Sequence, residues 1–157
     1  MNKIYILWLF LLGTLNLNAQ ENPEGEYMNA YVVVSDTSQN YFELRQKMFD
    51  LHEKLKIKID TMGRGFNKEK NRICLPEDDE DEIYAGQYFI RRYPSETLSL
   101  EYLSYYTEGP KAGENTMALV TAITDDKEEA DQKLLEVKKH SDKAFIVNSR
   151  IYMGCMH

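Results

Sequence analysis

Three clusters of side chains in this sequence could do chemistry. Glu77 to Glu82 (EDDEDE) gathers carboxylates, and hard cations such as calcium take several carboxylate oxygens. A calcium-binding loop would also need alternating ligands and a turn glycine, which the run lacks, so a solvated surface loop is the better reading. The C-terminal Met153-Gly154-Cys155-Met156-His157 packs soft ligands of the kind that hold Cu(I). An ordinary last strand with Cys155 engaged elsewhere accounts for it more simply, and no metal or cofactor is expected. The third cluster is aromatic: Tyr84, Tyr88, Phe89, Tyr93, Tyr102, Tyr105 and Tyr106, with Arg91 and Arg92 among them. Tyrosine offers a flat apolar ring with a polar tip, suited to stacking on sugars or anchoring a protein. Paired arginines can grip carboxylates. The competing reading has these rings filling the core. The ligand-binding candidates are Tyr31, Tyr84, Tyr88, Arg91, Arg92, Tyr93 and Tyr102.

No nucleophile elbow, zinc-helix, paired-cysteine or phosphate-loop motif appears. His52 and His140 fit solvated helix positions. The sequence therefore favours a non-enzymatic protein. A hydrolase is the third-ranked reading, because catalytic triads need not be local in sequence.

The compartment comes from the first nineteen residues. Lys3 supplies a positive start, Ile4 to Leu12 an apolar core, and Asn16 to Ala19 a polar stretch ending in a small residue, which together read as a cleavable signal peptide. The apolar core is shorter than the roughly 20 residues a bilayer span needs, so no stable membrane insertion is expected. The expected product is extracytoplasmic, periplasmic or secreted. The chain carries a formal charge of −7, which argues against nucleic acid because phosphate binding needs a cationic face. In an oxidising compartment Cys74 and Cys155 are a candidate disulfide. It would close about eighty residues and stabilise by roughly 4 kcal/mol on a chain-entropy basis.

These groups need elements to position them. A flexible lead-in (20–28) precedes a single domain (29–157). Ala30 to Val34 reads as a buried strand, and Asp36, Thr37 and Ser38 offer helix caps. Tyr41, Leu44, Met48, Leu51 and Leu55 follow at helical spacing. Lys56 to Asp60 alternates as a strand with Ile57 and Ile59 inward. The second half repeats the pattern: Met117 to Ile123 as a strand, Asp126 and Glu129 as a capping box, a helix bearing Ala130, Leu134 and Val137, and a final strand or bent pair over Ala144–Val147 and Arg150–Met153. Between the halves lies a long insertion (62–115). It includes a strand over Ile83–Arg92 and a stretch from Pro94 that fits a helix by one spacing and a strand (LSLEY) by another. The expected fold is α+β and ferredoxin-like, βαββαβ, a four-stranded antiparallel sheet with two helices on one face.

Residues 118–147 (ALVTAITDDKEEADQKLLEVKKHSDKAFIV) run from a strand through an acidic cap and a helix to a returning strand. They resemble half of a sporulation-related repeat (SPOR) domain, and AYVVVSDTSQNYFELRQKMFDLHEKL resembles the opening half more loosely. The family's usual Gly and aromatic after each first strand are replaced here by Ser35-Asp36-Thr37 and Ala122-Ile123-Thr124. The resemblance implies an extracytoplasmic module that binds peptidoglycan glycan strands across its sheet. The leading expectation is thus a secreted binding module for a cell-envelope glycan. The alternative is a protein-interaction module that uses the Tyr-rich insertion to hold an envelope protein.

Overall fold

The computed structural model describes residues 23–155. The expected leader and the start of the lead-in lie outside them, as do Met156 and His157. Strand β1 (Tyr27–Ser38) leads into helix α1 (Tyr41–Leu55). Because β1 runs through Asp36, Thr37 and Ser38, the cap falls to Asn40, whose side chain accepts from the Phe42 and Glu43 amides at 3.0 and 3.2 Å. That satisfies two of the orphan donors of the first turn. Leu44, Met48 and Leu51 form the buried stripe of α1, as their spacing predicts. A small hairpin follows, β2 (Gly65–Asn67) with β3 (Arg72–Cys74), and then β4 (Ser99–Tyr102), β5 (Met117–Thr124), α2 (Lys127–Lys138) and β6 (Phe145–Tyr152).

The four longer-range strands form one sheet in the order β4-β5-β1-β6, every neighbouring pair antiparallel. The register between β1 and β5 slips twice, skipping Thr121 on one strand and Ser35 on the other. Both skipped residues are buried, and each hydroxyl donates across to the facing strand: Thr121 Oγ1 to the Val33 carbonyl at 3.1 Å, Ser35 Oγ to the Leu119 carbonyl at 3.3 Å. A bulge strands backbone groups, and a short hydroxyl side chain re-pairs one of them without adding bulk.

Both faces of the sheet are covered. Helix α1 packs its stripe against Leu100, Met117 and Leu119, and α2 sets Ala130 and Leu134 against Val33 and Ala122. On the opposite face Val32, Val34, Ala118, Val120, Val147 and Ile151 meet Leu103, Tyr106, Ile90 and Ala112 of the long inter-half segment. All eight residues of β5 are buried as a result. A strand covered on both sides reads as a continuous apolar run, as MALVTAI does. The sheet face that a SPOR-type module would present to glycan is occupied here by the protein's own chain.

Four expectations are corrected. Lys56–Asp60 is not a strand: Lys56 takes a left-handed conformation (φ 58°) that caps α1, and the chain then touches Leu98 through a single parallel bridge from Ile59. Ile57 nevertheless faces inward as expected. The fourth strand of the sheet instead comes from inside the segment read as insertion, where LSLEY resolves as β4 rather than helix. Ile83–Arg92 is not a strand either. A turn with Gly86 at φ 66° opens it, and side chains then take up its backbone: Arg64 donates to the Phe89 carbonyl, Tyr106 to the Arg91 carbonyl. Finally, Cys74 and Cys155 are free thiols. Cys74 is buried in the hairpin, whereas Cys155 is exposed beyond the end of β6, at the sheet edge opposite β4.

Candidate functional site

The aromatic and arginine cluster divides into a closed part and an open part. At the centre of the closed part is Glu101, on β4, with no solvent exposure. Arg64 holds it in a two-pronged pair, Nη1 to Oε2 at 2.8 Å and Nη2 to Oε1 at 2.5 Å. The Tyr88 hydroxyl donates to Oε2 at 2.6 Å and the Arg91 amide approaches it at 3.4 Å. The remaining Arg64 donors reach the Thr61 and Phe89 carbonyls. Burial alone would lower the Arg64 pKa, but the hydrogen bond and charge of Glu101 outweigh it and hold the guanidinium firmly protonated. The hydroxyls of Tyr88 and Tyr106 are pushed well above the ordinary tyrosine value, first by burial and then by the charge of Glu101.

Most of the candidate ligand residues belong to this framework. Arg91 donates to Ser95 Oγ, the Ser95 and Thr97 carbonyls, and Ser99 Oγ, at 2.5 to 3.1 Å. Burial lowers its pKa, partly offset by Glu101. Its donors serve the chain itself. Tyr88 and Tyr102 meet edge-on with ring centroids 4.9 Å apart, and the Tyr102 hydroxyl accepts the Ile73 amide. Tyr84 sits edge-on to Phe89. Tyr31 is partly buried against the α2 cluster. For Tyr31, Tyr88, Arg91 and Tyr102 the structural reading describes the geometry better than a ligand surface, while Tyr84 is half-buried outside the core clusters.

Arg92 and Tyr93 are different. Arg92 is only 8% exposed. Its Nη1 donates to the Tyr152 and Gly154 carbonyls at 3.2 and 2.8 Å, tying the segment to the end of β6. Its Nε is buried with no hydrogen-bond partner among the described residues. A charged donor left this way costs on the order of 1–3 kcal/mol or more, so it demands an explanation. Arg72 Nε, in the hairpin, is in the same state, but Arg92 also lines a recess of about 190 Å³ with Asp60, Met62, Arg91, Tyr93, Ser95 and Thr97. The Tyr93 ring is 60% exposed, and the Arg92 guanidinium lies 5.7 Å from its centroid. No protein-family model, curated protein or solved structure matches this chain. Chemical meaning therefore rests on the site itself. A guanidinium beside an exposed ring is a pairing that can take a carboxylate and a sugar face together, provided its buried Nε becomes uncovered.

A second recess, of about 220 Å³, lies between α1 and the turn after α2. It brings His140 near Asp36, Asp50, Asp142, Ser35 and Ser141, residue types that could form a triad. Their hydrogen bonds do not connect that way: Ser35 Oγ donates to the Leu119 carbonyl and Ser141 Oγ to the Ser35 carbonyl, while Asp36 accepts from Lys47 at 2.7 Å and from the Thr37 amide at 2.8 Å rather than from a serine or histidine. A nucleophile and base in hydrogen-bond contact, the geometric signature of that chemistry, is not formed among these groups. The recess escaped sequence reasoning because its walls come from β1, α1, β5 and the α2–β6 turn. The acidic run Glu77–Glu82 turns on itself, with Asp79 and Asp81 accepting the amides two residues on, and Glu77 pairs with Lys70. Among the described residues no group of three or more His, Cys, Asp or Glu is placed to hold a metal ion, and no helix is long and apolar enough to cross a membrane.

Proposed function

We propose that the protein is an extracytoplasmic, non-enzymatic binding module for a carboxylate-bearing cell-envelope glycan, read by Arg92 and Tyr93 at the recess rather than by the sheet. The reading is carried by one observation: a nine-tenths buried arginine with an unpartnered Nε, lining a recess beside a tyrosine ring that is mostly in water. In this reading a shift of the Arg92 side chain, whose guanidinium lies 5.6 and 5.7 Å from the Phe89 and Tyr93 ring centroids, uncovers Nε toward the recess, and the exposed Tyr93 ring stacks on a sugar ring. The uncovered guanidinium edge takes the carboxylate, while Ser95, Thr97 and Asp60 offer partners for hydroxyls. The chain order β1-α1-β4-β5-α2-β6 with the sheet order β4-β5-β1-β6 supports a ferredoxin-like βαββαβ core. That core supports the SPOR resemblance, with the ligand surface displaced because the inter-half segment lies over the sheet.

The test is co-sedimentation of the purified protein with peptidoglycan sacculi, before and after removal of the stem peptides. Binding that survives stripping and is lost in Arg92→Lys and Tyr93→Ala supports the proposal. Failure to pellet in either condition rejects the glycan. Recovery instead of a stoichiometric envelope protein, dependent on the same residues, would favour the protein-interaction alternative.

A further inference from the structure

The recess between α1 and the α2–β6 turn carries an inference independent of the Arg92 site. On α1, Lys47, Asp50, Leu51 and Lys54 share one face by helical spacing. Lys47 is committed to Asp36 and Glu43, both at 2.7 Å. Asp50 and Lys54 stand at the same i,i+4 spacing as Glu43–Lys47 and Lys127–Asp131, two pairs that do close. Asp50 and Lys54 do not pair. Asp50 accepts only the Gln46 side-chain amide, through Oδ1. Across the recess, Asp142 and Lys143 form no ion pair among the described residues, although both line the same space. Leu51 and Leu119 supply apolar wall at its base, and both are buried.

The recess therefore presents two carboxylates and two ammonium groups that form no ion pair among the described residues, drawn from opposite walls. An isolated anion would meet Asp50 and Asp142, and an isolated cation would meet Lys54 and Lys143. A molecule bearing both charges satisfies both sets. We propose that this recess binds a small zwitterion, a free amino acid or short peptide, with its ammonium on the aspartates and its carboxylate on the lysines. A volume of about 220 Å³ suits a ligand of one or two residues.

The experiment is a titration of the isotopically labelled protein with alanyl-alanine, followed by backbone amide shifts, with acetate and methylammonium as single-charge controls. The expected result is saturable shifts at Ser35, Asp36, Leu51 and the 140–143 turn with the dipeptide and not with either control. Asp50→Asn and Lys143→Gln, both at exposed positions, each weaken the dissociation constant by about fivefold or more, while thermal unfolding stays within about 2 °C of the parent. Absence of saturable shifts at the recess overturns the proposal, as does an equal response to acetate alone. Shifts confined to residues 91–95 would also overturn it, by moving the ligand to the other site.

Discussion

Arg64 and Arg92 are buried to nearly the same degree, 5% and 8% exposed, in the same inter-half segment of the chain, yet their hydrogen bonding differs. Arg64 meets a carboxylate with both prongs and two carbonyls besides. Arg92 meets two carbonyls through one nitrogen and leaves Nε without a partner. Burial alone thus does not distinguish the two; the state of their donors, together with the recess that Arg92 lines, does. A buried charge with every donor matched holds the fold, and a buried charge with a donor to spare beside a recess is, on the proposed reading, where a ligand would be held.

This comparison can be broken in order of expected effect. Removing the carboxylate in Glu101→Ala leaves the Arg64 charge buried and unpaired, which should cost about 3–5 kcal/mol. Chemical denaturation should reveal a loss of that size, and a change under about 1 kcal/mol would mean that the pair is not the keystone described. Tyr88→Phe keeps the ring but deletes the hydrogen bond to the buried carboxylate and the one the hydroxyl accepts from the Tyr102 amide, for an expected loss of about 1.5–3 kcal/mol by the same measurement.

The raised tyrosine pKa values add a pH dependence. Above about pH 10 the unfolded chain loses phenolic protons that Tyr88 and Tyr106 keep in the folded state. The folded state then binds more protons, so stability is intact below that pH and falls as pH rises through and beyond it. Stability measured between pH 9 and 11 should decline less steeply in Tyr88→Phe than in the parent. The smallest stability change belongs to the recess: Tyr93→Ala should shift stability by about 0.5 kcal/mol or less, since the ring is mostly exposed, yet abolish retention on sacculi.

How far the sequence foretold this architecture depended on whether the determining contacts were local. Both helices and the long strands β1 and β5 were legible because their apolar spacing and two-sided burial are written in consecutive residues. The fourth strand was misplaced: Lys56–Asp60 alternates better than many strands, but a left-handed cap at Lys56 sends it off the sheet, and Ser99–Tyr102 takes the edge beside β5. The Tyr-rich segment was recognised as special without its division being visible. Tyr88 turns inward to meet Glu101 on β4, Arg91 to serve Ser95, Thr97 and Ser99, and Tyr102 to accept the Ile73 amide, all contacts made across loops and strands. Only the fold brings Arg64 to that carboxylate from 37 positions away. The helix-side recess left no local trace at all.

The central claim is that Arg92 and Tyr93 form a ligand site while Arg64 and Glu101 form a framework. Its most direct test is an amide-shift titration of the protein with a soluble glycan fragment carrying a carboxylate, and with the same fragment reduced to the neutral alcohol. The account predicts saturable shifts at Arg92, Tyr93, Ser95 and Thr97 with the acidic fragment, about tenfold weaker binding or none with the neutral one, and no binding in Arg92→Lys. Equal affinity for the two fragments, or binding undiminished in Arg92→Lys, would contradict it.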